Sequence, residues 1–195
     1  MGGKITKQKH RPAATRHKIV LGLSGGFCCG KTTVAHIFKQ LGAQTFNCDT
    51  CAHRALHKNS PAYKKIVSLF GRSILSARGS INRKKLGASV FKSKRKRTAL
   101  ERIIHPYVIE KMHDFINRHR GFLVIEVPLL FEANLQSLFD YTVTVYCNKK
   151  TIFARARKSY PSLSSGDVAR RLEAQMPVSE KRKRADFCIN NNDSI

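Results

Sequence analysis

The chain has 195 residues at 42% hydrophobic content, which suits one domain, or one domain with an inserted subdomain, around an ordinary buried core. Against 12 Asp and Glu stand 37 Lys and Arg, a formal charge of +25 with a pI near 10.4, so partners should be anionic; phosphorylated metabolites and nucleic acids fit that sign equally. The longest apolar run, residues 122–131, is broken by Glu126 and Pro128 and is too short for a bilayer span, no signal-peptide pattern opens the chain, and the six cysteines are not spaced as a secreted framework; a cytoplasmic protein with reduced thiols and no membrane partner is expected.

In chain order, residues 1–18 carry Lys4, Lys7, Lys9, Arg11, Arg16 and Lys18 with no acidic partner and read as a flexible basic tail. No aromatic residue is interleaved there to stack on bases, so the tail reads as a solvated extension rather than a nucleic-acid arm. Nucleic acid is not expected as a physiological partner. Residues 19–23 form a short apolar run of the kind found in a fully buried parallel strand. A glycine-rich turn follows, then Val34, Ile37, Phe38 and Leu41 at helical spacing, with a stop at Gly42. Further strands are expected over 43–46, 122–127, 141–146 and 186–189, separated by helical patterns long enough for crossovers. That alternation predicts an α/β fold: a doubly wound, parallel, five-stranded sheet. Between the second and third strands, about residues 50–120, helical spacing such as Val108, Met112, Phe115 and Ile116 predicts an inserted helical subdomain.

The turn after the first strand, Gly25-Gly26-Phe27-Cys28-Cys29-Gly30-Lys31-Thr32, fits G-x-x-x-x-G-K-[ST]. Glycines there let successive backbone N–H groups converge on an anion, and the following helix adds the partial positive charge of its N-terminus. Lys31 is expected to reach the β- and γ-phosphates of ATP, Thr32 to offer its hydroxyl to Mg²⁺, and Thr33 to seat the first helical turn. Asp49, the only acidic residue before Glu101, lies just past the second strand, at the sheet edge where such folds bind ligands. It reads as a base for an acceptor hydroxyl, or as the N-cap of the helix that follows it.

Other residues keep two readings each. Glu126 ends the third strand and could sit near Mg²⁺ as a second acidic motif. His105 precedes Pro106, a pairing that suits the end of one helix and the start of the next. The clusters Arg83-Lys84-Lys85 and Lys94-Arg95-Lys96-Arg97 could meet a substrate pyrophosphate or be a solvated face. Spacing does not choose among Arg155, Arg157 and Lys158 for a residue pointing at phosphate. Ser164-x-x-Asp167 is a capping box opening a helix that carries Arg171 and Gln175 one turn apart, within a lid of about residues 150–180; Arg171 reads equally as a solvated side chain. Cys48-x-x-Cys51 with His53 lacks the second ligand pair of a zinc site.

These landmarks together resemble the dephospho-CoA kinase family. Residues 22–33 parallel its phosphate loop, and Asn47-Cys48-Asp49 with Ala52-His53 its D-A-D-x-x-A-[RH] motif. His105-Pro106, Pro128-Leu129-Leu130-Phe131-Glu132, Arg171, Ala174-Gln175-Met176-Pro177, Lys181-Arg182, Arg184-Ala185-Asp186 and Ile189-Asn190-Asn191-Asn192 follow in order. The resemblance implies a P-loop NTPase-like fold with a helical substrate insert and a helical lid. It also implies Mg²⁺- and ATP-dependent phosphorylation of the ribose 3′-hydroxyl of dephospho-CoA, the last step of coenzyme A synthesis. The alternatives to be tested are another small-molecule or nucleotide kinase on the same fold and a basic nucleic-acid-binding P-loop protein. On it, Asp49 would deprotonate or orient the acceptor hydroxyl, Lys31 would hold the transferring phosphate, and Arg155 would reach in from the lid. Gly26, Cys28, Cys29, Gly30, Thr32, Thr33 and Asn191 would complete the nucleotide site, with Ser24, His53, His105 and Arg171 on the acceptor side. The chain departs from the family where Cys28 and Cys29 replace Gly and Ser, Asn47 and Asn190 replace Asp, Glu126 replaces Asp, and the chain ends at Ile195 rather than continuing into a further helix.

Overall fold

The computed structural model describes residues 18–91 and 93–192. The expected basic tail lies outside them except for Lys18. In chain order the strands are β1 (Lys18–Gly25), β2 (Gln44–Asn47), β3 (Gly121–Glu126), β4 (Tyr141–Tyr146) and β5 (Phe187–Asn190). The helices are α1 (Lys31–Gln40), α2 (Cys48–Arg54), α3 (Pro61–Phe70), α4 (Arg83–Phe91), α5 (Lys94–Arg118), α6 (Lys149–Ser159), α7 (Ser165–Glu173) and α8 (Val178–Arg184). Asn47–Asn117 forms one compact unit and the flanking chain forms the other.

The sheet order is β2-β3-β1-β4-β5, and β1 pairs in parallel with both β3 and β4, as does β4 with β5. A central strand covered on both faces has no solvent side, which is why β1 is buried from Val20 to Gly25 and shows no polar alternation. All five strands predicted from hydrophobic runs are present, β4 with the expected ends and the others displaced by one or two residues. Leu21, Leu23, Val124, Val143 and Val145 of the sheet pack with Val34 and Ala35 of α1, Ile152 and Ala156 of α6 and Val168 of α7. Burying each larger side chain of that set stabilises by roughly 1.5–3 kcal/mol.

The buried face of α1 differs from the expected stripe. Val34 and Ala35 are buried and Phe38 packs beside them, whereas Ile37 is exposed and Leu41, past the helix end, is 78% exposed. The direction in which the preceding loop launches the helix sets which face meets the sheet, and periodicity alone cannot locate that face.

In the unit Asn47–Asn117, Ala55, Ala62, Ile66, Ile74, Ile81 and Leu86 form a core against which Leu100, Ile103, Ile104 and Tyr107 pack. Ser60 caps α3 through the Ala62 amide at 3.0 Å, with Pro61 at the first helical position. His105 and Pro106 do not separate two helices, because α5 runs through both as 25 continuous residues. An internal proline removes one hydrogen bond and costs about 3 kcal/mol. Leu100, Ile103, Ile104 and Tyr107, on either side of the exposed Pro106 in the chain, pack against the unit's core. Among the described residues no helix is long and apolar enough to cross a membrane.

Beneath the sheet's carboxyl edge lies one fully buried ammonium. Lys181, the fourth residue of α8, is 0% exposed and donates at 2.8 Å to the Pro128 carbonyl and at 2.8 Å to Glu132 Oε1. Glu132 Oε1 also accepts from the Met176 amide at 3.0 Å, and the Pro128 carbonyl accepts from Ser24 Oγ at 3.2 Å. The network ties the chain after β3 to the end of β1 and to the connection between α7 and α8. Removing one partner of a buried pair leaves the other charge unmet. Lys181→Met should therefore destabilise the protein by about 3 kcal/mol. Adding Glu132→Gln should recover part of the loss, both read as shifts of the urea midpoint.

Candidate active site

Between β1 and α1 the chain makes a cradle open at its amide side. Gly25 has φ +150° and Gly30, the N-cap of α1, has φ +86°, conformations that L side chains rarely adopt. A Cβ on Gly25 would strike the Val145 carbonyl oxygen, and one on Gly30 would strike Asn191 Nδ2. No side chain caps α1 and no acidic residue lies in its first turn. The first-turn amides therefore keep their donors and the helix its positive end, the usual basis of an anion site. Lys31 Nζ folds back to donate to the carbonyls of Gly26 at 2.8 Å and Gly25 at 3.2 Å, placing its ammonium over the loop.

Three elements from elsewhere in the same unit converge on this loop. Asn191, just after β5, donates from Nδ2 to the Cys29 carbonyl at 2.9 Å while its own amide donates to the Tyr146 carbonyl at 2.8 Å, so the loop is pinned to the sheet's far side. Arg155 of α6 brings Nη1 beside Gly30, 3.7 Å from where a Cβ there would stand. Its neighbours Arg157 and Lys158 are exposed, so the fold makes the choice that spacing left open. Arg171 of α7 sits over the Phe27 ring at 5.3 Å, and Phe27 in turn stacks on Tyr160 with centroids 5.7 Å apart. The capping box expected at Ser164 and Asp167 is present. Gln175 lies beyond the end of α7, which closes at Glu173 with Ala174 as its C-cap.

At the tip of β3, Glu126 is 5% exposed and its Oε2 accepts from Thr32 Oγ1 at 3.0 Å. The neighbouring β1 and β3 hold this pair in register, with Leu23 opposite Glu126. Two hard oxygens at the head of the phosphate loop suit Mg²⁺, which takes oxygen ligands. Thr33 is exposed in the first turn of α1, and Gly26 is buried. Ser24 is fully buried with its hydroxyl committed to Pro128.

The cysteines of the loop face different surroundings. Cys28 is half-buried at φ +53°, a left-handed conformation for a residue with a Cβ. Burial pushes its thiol above the ordinary value against the pull of Lys31, Arg171 and Arg155. Cys29 points into the core, where its Sγ lies 3.4 Å from Cys147 Sγ. Burial first, then the nearby Cys29, push the Cys147 thiol up to about 12.

In the unit Asn47–Asn117, Asn47 rather than Asp49 is the N-cap of α2, accepting from the Thr50 amide at 2.8 Å. The replacement of an acid by Asn at that position keeps a good cap. Asp49 is left exposed in the first turn, one helical turn ahead of His53 on the same face. His53 Nε2 lies 3.1 Å from Arg83 Nη2 of α4. Cys48 and Cys51 are buried, and His105 is exposed on α5.

Phe27 as a seat for Arg171, Lys181 as a buried ammonium and Cys147 as a neighbour of Cys29 were not found by reading the sequence. An aromatic inside a phosphate loop was the available signal for Phe27. Nothing distinguishes Lys181 from the other cations of its run, Arg182, Lys183 and Arg184. Two outcomes are expected from the loop. Cys28→Gly should release left-handed strain and raise stability by about 1 kcal/mol in urea unfolding. Because their raised pKa values keep both thiols protonated at pH 7.5, Cys28 and Cys147 should react with iodoacetamide far more slowly than a free cysteine, as peptide mass analysis would record.

The sequence pattern of the family described as dephospho-CoA kinase matches residues 19–195. A dephospho-CoA kinase of Bacillus cereus is 38% identical over 181 residues, covering 91% of this chain and 90% of that protein. One from Listeria monocytogenes is 37% identical, covering 90% and 89%. A crystal structure from Thermus thermophilus superposes with a TM-score of 0.81 at 30% identity over 92% of this chain and 91% of that one. A dephospho-CoA kinase from Campylobacter jejuni gives a TM-score of 0.63 at 31% identity, covering 90% and 89%. With this cradle, this sheet order and relatives matched along nearly their whole length, the chain belongs to the dephospho-CoA kinase family.

Proposed function

We propose that this protein transfers the γ-phosphoryl group of ATP to the ribose 3′-hydroxyl of dephospho-CoA, giving CoA and ADP. The observation that carries the reading is the phosphate cradle of a family member, in which the uncapped α1 N-terminus, Lys31 and Arg155 meet at one loop. Phosphoryl transfer leaves little covalent chemistry to the protein, which positions the reactants and neutralises charge on the phosphate oxygens.

In this reading the amides of residues 26–33 bind the nucleotide's phosphates, and Lys31 leaves its loop carbonyls to contact the β- and γ-oxygens. Thr32 and Glu126 hold Mg²⁺, which supplies positive charge at the phosphates when bound. Arg155 neutralises charge that builds up on the transferred group, and Asn191 keeps the loop closed beneath it. Asp49 accepts or orients the proton of the acceptor hydroxyl, acting without a neighbouring carboxylate because Asn47 stands where the family has an acid. His53, His105 and Arg171 contribute to the acceptor side, with the unit Asn47–Asn117 as substrate insert and α6 and α7 as a lid. Six free thiols suit a reducing compartment, and we place the enzyme in the cytoplasm.

Incubation with ATP, Mg²⁺ and dephospho-CoA should give CoA by mass analysis, and transfer to a nucleoside monophosphate instead would move the substrate assignment. Lys31→Ala should abolish transfer with an unchanged circular dichroism spectrum. Arg155→Ala should lower kcat about 10³- to 10⁵-fold. Asp49→Asn should lower kcat about 10²- to 10⁴-fold with little change in ATP affinity, and full turnover in that variant would remove its role as base.

A further inference from the structure

Between Asp49 and Glu101 the chain has fourteen Lys and Arg residues and no Asp or Glu. Thirteen of these side chains are described; all are exposed, and none joins an ion pair among the described residues. Two of the clusters also sit where they are least welcome. Arg83, Lys84 and Lys85 open α4, Lys94 to Arg97 open α5, and neither first turn carries an acid. Cations at a helix N-terminus oppose its dipole, and the uncompensated field adds self-repulsion. A pyrophosphate-bearing small molecule needs only a few cations, so one such ligand leaves most of this charge unmet.

The corner between α4 and α5 adds a second feature. Ser93 accepts the Lys96 amide through its Oγ at 3.3 Å, and Lys96 Nζ reaches back to Ser89 Oγ at 3.3 Å, tying the start of α5 to the end of α4. At that corner Phe91 stands 82% exposed, with a basic cluster before it and another after it. The apolar residues nearby, Leu86, Leu100 and Ile103, turn into the unit's own core. Farther along the unit, Lys64, Lys65, Ser68, Leu69 and Ile103 line an open groove of about 670 Å³. The basic tail has no aromatic interleaved among its cations; the insert has one in Phe91.

We infer that this basic face of the insert, centred on Phe91 and extending to Lys64 and Lys65, binds single-stranded nucleic acid in addition to the kinase's own ligands. A flexible strand can track scattered cations with its phosphates and stack one base on Phe91. The chemistry favours a strand over an anionic membrane: Leu86, Leu100 and Ile103 pack with the unit's core, and the single exposed ring of Phe91 is no broad apolar face for a bilayer but matches one base.

The test is fluorescence anisotropy of the full chain with a labelled oligouridylate, repeated across salt concentrations. Binding should persist near 150 mM salt, with log of the association constant falling against log salt at a slope of about −3.5 to −5, as for roughly five to seven phosphates. Phe91→Ala should weaken it roughly 5- to 100-fold with kinase turnover unchanged, and Lys64→Glu with Lys65→Glu should make the slope shallower by about 1.4. Four results would overturn the inference: no binding at 150 mM salt, affinity indifferent to all three substitutions, equal affinity for inorganic polyphosphate and the oligonucleotide, or tighter binding to phosphatidylserine vesicles. Because CoA formation is read separately, loss of either activity leaves the other assignment standing.

Discussion

The arrangement of the sheet unit depends on one unfilled requirement, the amide donors at the start of α1. Any helix leaves its first N–H groups without intrahelical acceptors, and most proteins satisfy them with a Ser, Thr, Asp or Asn cap. Here the cap is Gly30 in a left-handed conformation that offers no side chain. The surrounding parts keep it that way. Gly25 lets the loop pass against Val145, Asn191 holds the Cys29 carbonyl, and Lys31 and Arg155 bring further positive charge to the same place. A site that gathers helix-end amide donors and two cations at one loop is complementary to phosphate before any ligand arrives.

That preorganisation has costs that other contacts absorb. Cys28 stands in a backbone conformation better suited to glycine, and Lys181 is buried with its ammonium shared between Glu132 and the Pro128 carbonyl. Buried ion pairs contribute little net stability but fix geometry where the alternative arrangements leave a charge unmet. Here the fixed geometry links Ser24, one residue ahead of the loop, to the segment after β3 and to Met176 between α7 and α8. Phe27 provides the counterpart on the exposed side, where its ring seats Arg171 and stacks on Tyr160.

Much of the fold was legible because buried parallel strands are short continuous apolar runs, and all five runs became strands. The phosphate loop was legible for a related reason: its chemistry needs glycines and a lysine at fixed spacing, so function is written in consecutive residues. Features made by residues distant in the chain were not. Glu126 and Thr32 are 94 positions apart, Asn191 and Cys29 are 162 apart, and no local pattern pairs them. Pro106 misled because a local rule about helix ends does not hold in α5, which runs on through it, and the cap that Asp49 could have supplied is made by Asn47.

Local spacing and composition were enough to read the order of the strands, the anion-binding turn, the sign of the ligand's charge and a lone carboxylate past the second strand. Packing was needed to turn Arg155 rather than Arg157 or Lys158 toward Gly30, to bury Lys181 alone of its basic run, and to leave Phe91 in solvent between cationic turns. The physical reason is common to all three. Helical periodicity states which side chains share a face, whereas the partner that covers the face comes from elsewhere in the chain and is fixed only when the chain packs.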